Sequence, residues 1–150
     1  MDELLRAGFA ALGLPLDAAA LARFQTYYTL LDERSKVMNL TAIHGETDVA
    51  QLHFLDCLAL LQLADFGGKK VIDIGCGAGF PGIPLLIAQP DLDLTLLDST
   101  AKRIGWLREE VLPALGLQAQ CVAARQEDVK DAARPAGHGA GAAGPAVKIA

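Results

Sequence analysis

The sequence predicts an α/β fold, a parallel sheet with helices between its strands, set behind an N-terminal helical segment. Three observations predict it. Val71-Ile72-Asp73-Ile74 reads as a short buried strand and runs straight into Gly75-Cys76-Gly77-Ala78-Gly79-Phe80-Pro81-Gly82, followed by an apolar run that can form a helix. A second apolar stretch, Leu92 to Leu97, finishes at Asp98, 21 residues beyond Gly77, as in a βαβ unit. Ahead of both, apolar residues recur at intervals of three and four, the helical period.

The 150 residues are one domain's worth of chain, just over half hydrophobic and about a fifth charged, which is a globular composition. No apolar run approaches the length of a membrane span, and the acidic start Met1-Asp2-Glu3 is unlike a secretory signal, so a cytoplasmic protein without membrane attachment is expected. Cys57, Cys76 and Cys121 are odd in number and widely spaced, which argues against a disulfide framework or a zinc site. Cys76 is expected to be a small residue that fits the turn, with some reactivity if a helix start lies close. The net charge of −5 is uneven: residues 1–68 hold 4 Lys/Arg against 9 Asp/Glu, and residues 69–150 hold 9 of each. That is not the basic footprint of a general nucleic-acid binder, so any such contact must be local and shape-selective.

Residues 2–12 are expected to form a short helix ending at Gly13, with Pro15 beyond. Asp17 is a suitable N-cap for a longer helix, whose face is Leu21, Phe24, Tyr28 and Leu31, with Tyr27 beside it. Asn39 to Ile43 breaks the helical pattern, and Thr47 or Asp48 can cap the next helix, with Val49, Leu52, Leu55, Leu58 and Ala59 on its apolar side. His53 and Asp56 are three apart on that helix, a spacing that suits a structural hydrogen bond better than a catalytic dyad. Gly67-Gly68 is a joint before the first strand. Ile83 to Ala88 is helix, with Pro84 tolerated in the first turn, and Gln89-Pro90-Asp91 ends it. Ser99 or Thr100 can cap a third helix bearing Ile104, Leu107, Val111 and Leu115, which Pro113 and Gly116 close. Lys102, Arg103 and Arg108 form a small basic group on it. Gln118 to Ala123 is a third strand, and Arg125 to Asp128 follow at its carboxyl end, where open α/β sheets bind ligands. From Ala132 to Ala150, Ala, Gly and Pro supply 14 of 19 residues, so disorder is expected there, with only weak pairing from Val147 to Ile149.

Two ligand classes compete for the glycine turn. Gly77 to Gly82 fits the G-x-G-x-x-G fingerprint of a dinucleotide site, which would make the chain an NAD-dependent dehydrogenase. Gly75, Gly77 and Gly79 at alternate positions after a strand that carries Asp73 suit S-adenosylmethionine. A carboxylate close to the turn repels a pyrophosphate and favours a sulfonium and an ammonium, so charge favours the methyl donor. Asp98 can accept hydrogen bonds from ribose hydroxyls in either case.

Asn39-Leu40-Thr41-Ala42-Ile43, His53-Phe54-Leu55-Asp56, Val71 to Pro84, and Leu96-Leu97-Asp98-Ser99 with Lys102-Arg103 occur in that order. Together they resemble the bacterial ribosomal RNA small-subunit methyltransferase G family, also called glucose-inhibited division protein B, over roughly residues 1–130. The Gly-Phe-Pro-Gly-Ile-Pro extension of the turn is the specific part. The resemblance implies a Rossmann-like class I S-adenosylmethionine-dependent methyltransferase sheet. Residues 1–67 would be a helical subdomain, 68–131 the first half of the methyltransferase domain, and 132–150 a disordered tail. It implies methylation of guanine N7 in 16S ribosomal RNA of the small ribosomal subunit, with the protein taken as a monomer. Gly75 and Phe80 would line the methionine and sulfonium region, Phe80 offering its ring face, and Gln126 and Glu127 the adenine region. With Gly77, Gly79 and Asp98 these complete the expected cofactor site. No catalytic acid/base pair and no metal are expected, because guanine N7 already carries a lone pair. The family continues with a fourth strand and a Ser-Arg-Ala block that nothing here matches. A C-terminally truncated chain of about three strands is therefore expected, with weak cofactor binding and little turnover; its non-enzymatic alternative is an RNA- or ribosome-binding fragment using Lys69, Lys70, Lys102, Arg103 and Arg108.

Overall fold

The computed structural model describes residues 1–38, 53–63, 66–128 and 146–149. Helix α1 (Asp2–Leu12) stops at Gly13, whose left-handed backbone (φ 70°) lets its N–H return to the helix. Helix α2 (Ala18–Met38) begins as expected at Asp17, where Oδ1 accepts the Ala20 N–H at 2.7 Å. Its buried stripe is Ala20, Leu21, Phe24, Tyr27 and Leu31. Tyr27, not Tyr28, therefore takes the core position, a shift of one residue on a helix whose two tyrosines are adjacent. The expected break at Asn39 to Ile43 and the expected caps at Thr47 and Asp48 lie outside the described residues. Two short helices follow, α3 (Leu55–Leu58) and α4 (Leu60–Leu63).

The sheet is parallel, in the order β3-β2-β1-β4. Strand β1 (Lys70–Ile74) leads through the glycine turn into helix α5 (Gly82–Ala88), and strand β2 (Asp93–Asp98) returns beside it with Ile74 opposite Leu97. A continuous helical stretch then runs from α6 (Ala101–Trp106) through a π turn (Leu107–Val111) to α7 (Leu112–Leu115), and Gly116 terminates it. Strand β3 (Gln120–Ala123) pairs with β2. Strand β4 (Ala146–Ile149) pairs with the free side of β1, Ile72 opposite Lys148.

A fourth strand is thus present among the described residues, where the sequence suggests about three. It covers the edge of β1. Val147-Lys148-Ile149 alternates over only three residues at the end of an Ala/Gly/Pro-rich tract, which suggests weak pairing at most; the free side of β1 makes a strand of it. Residues 70–73 of β1 and 94–98 of β2 are buried on both faces, as parallel strands between covering layers are.

One core joins the helical segment to the sheet. Phe9, Phe24, Phe54 and Tyr27 are fully or almost fully buried. Their rings form a chain with centroid spacings of 5.9, 5.0 and 5.5 Å. Two polar ties add to it. Arg23 Nε donates to the Leu115 carbonyl at 2.9 Å, and Arg34 lies 3.9 Å from Glu110. The glycine turn therefore rests on aromatic residues supplied by α2 and the segment leading into α3.

Candidate functional site

Strand β1 ends one residue before the turn. Gly75 and Cys76 then donate their N–H groups to the Leu97 carbonyl (2.8 and 3.1 Å), which docks the turn on the end of β2. Gly75, Gly77 and Gly79 all take positive φ (71°, 53° and 108°). A Cβ on Gly75 would meet no protein atom within 4 Å, so open space adjoins the backbone there. That space belongs to a cleft of about 450 Å³ at the carboxyl ends of the strands, a volume typical of small-molecule sites. Gly75, Asp98 and Gln126 line it together with Ser99, Ala124 and Lys148.

Asp98 organises this corner. Its Oδ2 accepts the Gly77 N–H at 3.0 Å and its Oδ1 the Thr100 N–H at 2.8 Å, while its carbonyl accepts the Ala124 N–H at 3.0 Å. Its side chain thereby ties the glycine turn to the start of α6, and its backbone carbonyl ties in the end of β3. A carboxylate has about four lone-pair sites. Two are taken by protein N–H groups, which leaves capacity for ligand hydroxyls.

Of the seven residues expected to hold a cofactor, Gly75, Asp98 and Gln126 line one cleft, and Gly77 is attached to it through Asp98. Gly79 turns away from it. A Cβ there would lie 2.7 Å from both Ile83 Cγ1 and the Tyr27 hydroxyl. Phe80 lies beyond the turn against His53, Tyr27 and Phe54. Glu127, in a one-turn 3-10 helix (Gln126–Asp128), pairs with Arg125 at 2.9 Å. Ser99, Ala124 and Lys148 line the cleft without being expected there from the sequence, where Ser99 is read only as a helix cap and part of a family block. Their signal is positional: each stands at or just past the carboxyl end of a strand.

Asp73 corrects the charge argument made from sequence. Its side chain is fully buried and does not line the cleft; Oδ2 accepts the Gly82 N–H at 2.9 Å and Oδ1 has no partner. Burial pushes its carboxyl up to about 8, against the pull of the Gly82 N–H and with a push from Asp98. Near neutral pH it is largely uncharged, so it neither repels a phosphate nor attracts a sulfonium. Cys76 is buried too, and burial pushes its thiol well above the ordinary range, which makes it unreactive.

This raised carboxyl makes a stability prediction. The native chain holds a proton on Asp73 up to about pH 8, whereas the unfolded chain releases it near pH 4. Stability from this group is fully present below about pH 4 and is lost as pH rises through about 8. Burial lowers the His53 pKa, and that group acts in the opposite direction, losing stability as pH falls. The difference between wild type and Asp73→Asn isolates the carboxyl. The melting temperature of Asp73→Asn is expected to gain on wild type by several degrees between pH 5.5 and 8.5 (roughly,). A constant difference across that interval would contradict the assignment.

The start of α5 discriminates between ligands. Pro81 and Pro84 have no N–H, Gly82 donates to Asp73, and Ile83 donates to the Gly79 carbonyl at 2.7 Å. A dinucleotide site needs free N–H groups at this place to bind pyrophosphate. None of these four residues offers one.

The five basic residues considered for an RNA-binding surface do not converge. Lys69 and Lys70 stand at the amino end of β1, with Lys70 buried, whereas Lys102 and Arg103 follow the carboxyl end of β2. Arg108 donates to the Cys121 carbonyl at 2.8 Å. No described helix is long and apolar enough to cross a membrane.

The sequence model of a family described as rRNA small subunit methyltransferase G matches residues 20–136. The chain is 42% identical over 133 residues to a ribosomal RNA small subunit methyltransferase G from Pelotomaculum thermopropionicum, which covers 86% of this chain and 54% of that protein. It is 47% identical over 106 residues to the protein of that name from Caldanaerobacter subterraneus subsp. tengcongensis (70% and 44%). Against that from Lachnoclostridium phytofermentans it is 48% identical over 105 residues (69% and 43%). The chain spans about half the length of the curated relatives it matches.

Proposed function

This chain belongs to the rRNA small subunit methyltransferase G family, and from that membership we propose that the cleft beside Gly75 and Asp98 is the S-adenosyl-L-methionine site of an enzyme that methylates guanine N7 in 16S ribosomal RNA of the small ribosomal subunit. The observation that carries the choice of cofactor is the start of α5, where the N-cap Pro81 and the first three helical residues, Gly82 to Pro84, offer no free N–H for a pyrophosphate. A nucleoside without phosphate is the ligand that fits this turn. When bound, S-adenosyl-L-methionine supplies an electrophilic methyl group on a sulfonium.

The chain's own residues bind and orient. The open space at Gly75 lets a ligand lie against bare backbone. The two unused lone-pair sites of Asp98 accept from ribose hydroxyls, and Gln126 together with the backbone at Ala124 borders the place for an adenine edge. Gly77 and Gly79 act through the shape of the turn, and Phe80 ends it. Glu127 reaches this site through its backbone neighbour Gln126. Guanine N7 attacks through a lone pair it already has, so no residue has to remove a proton first. The contribution required of the protein is alignment.

Calorimetric titration of the 150-residue chain with S-adenosylhomocysteine, beside NAD, tests the reading. Binding of the homocysteine compound with a dissociation constant in the micromolar range, and no heat with NAD, is the expected result. Binding of NAD alone would replace the methyltransferase cleft with a dehydrogenase one.

A further inference from the structure

Enzymes that do chemistry on a base act on single-stranded substrate or draw that base out of its stack. Bases splayed out of RNA are held by stacking on aromatic side chains. Most aromatic rings of the described residues are unsuited to this because they are buried: Phe9, Phe24, Tyr27, Phe54, Phe66 and Trp106. Tyr28 is half-buried but faces a different hollow, lined by the first four residues and Gln25. His53 and Phe80 are the half-buried rings beside the glycine turn, and their centroids are 4.4 Å apart with planes inclined by 35°.

On this geometry, and resting on the methyltransferase reading above, we propose that the His53–Phe80 ring pair is the stacking platform for the purine base that receives the methyl group. Phe80 stands five residues beyond Gly75, at the other end of the turn whose first glycine lines the cofactor cleft, so the same turn carries both the cleft and the ring pair. The platform is held from behind. Tyr27 and Phe54 lie 5.8 and 6.2 Å from Phe80, and the Tyr27 hydroxyl donates to the Ala78 carbonyl at 2.6 Å. Burial lowers the His53 pKa, which keeps the imidazole uncharged at neutral pH and suits a ring that presents a face to a base. Its neighbour Asp56 acts against this, but less strongly than burial.

The test titrates guanosine 5′-monophosphate and, separately, S-adenosylhomocysteine into the 150-residue chain, His53→Ala and His53→Phe. Stacking predicts that His53→Ala binds the guanine nucleotide about tenfold more weakly. His53→Phe, which keeps a ring, should restore that affinity to within about twofold of wild type. Affinity for S-adenosylhomocysteine should be the same in all three. Upfield movement of the His53 and Phe80 ring-proton resonances on adding the guanine nucleotide is expected as well, from the ring current of the stacked base. Equal guanine-nucleotide affinity in wild type and His53→Ala would overturn the platform. So would a His53→Phe variant as weak as His53→Ala, a parallel loss of both ligands, or no binding of the nucleotide by wild type. Failure of S-adenosylhomocysteine alone, with the His53 dependence intact, would instead remove the cofactor reading, and with it the methyl-accepting role of the base, and leave the ring pair as a guanine-stacking site.

Discussion

Gly79→Ala is expected to lower the melting temperature of the chain by roughly 10 °C and to abolish binding at the cleft. Two independent effects combine. Gly79 has φ 108°, a backbone conformation that an L-residue rarely adopts. The new Cβ would also stand 2.7 Å from Ile83 Cγ1 and 2.7 Å from the Tyr27 hydroxyl. Neither neighbour yields easily. Ile83 is fully buried in the first turn of α5, and Tyr27 is fully buried and donates to Ala78, the residue before Gly79. Backbone strain and overpacking each cost about 1–3 kcal/mol, a sum that is a large part of an ordinary domain's stability. Gly116→Ala is the control. Gly116 also has positive φ (66°), but a Cβ there meets nothing within 4 Å, so its cost is backbone strain alone, about 1–2 kcal/mol. Thermal melts of both variants decide the matter: Gly79→Ala falling no further than Gly116→Ala would mean that the turn relaxes around the new methyl.

The turn was legible because its chemistry is local. A buried apolar strand, alternate glycines and Pro81 just before a helix give a strand-turn-helix from residue types alone. Asp98 was legible for the same reason, since the βαβ spacing brings the end of β2 beside the glycine turn. The function of Asp73 was not. Its position before the glycines suggests a charge for the ligand, but whether a carboxyl at a strand end faces the cleft or the layer beneath depends on the pleat and on what covers it. Here the first turn of α5 lies over Asp73, and a Cβ on Gly82 would sit 2.8 Å from its Oδ2. Tyr27 and Tyr28 show a similar limit: helical period narrows the core face to adjacent positions, and only the aromatic layer contributed by Phe54 and Phe80 selects between them. Strand β4 was the least legible, because three alternating residues after an Ala/Gly/Pro-rich tract suggest weak pairing at most and become a strand only beside the unpaired side of β1.

Asp98→Ala is expected to weaken S-adenosylhomocysteine binding by about 100-fold or more. The carboxylate carries two kinds of load, and the variants separate them. Its internal load is the pair of N–H groups of Gly77 and Thr100, at 3.0 and 2.8 Å. Its external load is a pair of ribose hydroxyls, each hydrogen bond to a charged group contributing about 1.5–3 kcal/mol. Asp98→Ala removes both and leaves two backbone donors in a buried corner, so the melting temperature falls as well. Asp98→Asn keeps one acceptor oxygen and substitutes an NH₂ for the other. That oxygen can serve Thr100 or Gly77, but not both, and the NH₂ opposes whichever donor it faces. Binding by Asp98→Asn should therefore fall between wild type and Asp98→Ala, while its melting temperature stays closer to wild type. If Asp98→Asn bound S-adenosylhomocysteine within about twofold of wild type, the residue would be a turn-holding group only, and the ribose would have to be held by other residues of the cleft. A wild-type-like melt with binding lost would instead place the ligand contact, not the turn, as the reason a carboxylate stands at the end of β2.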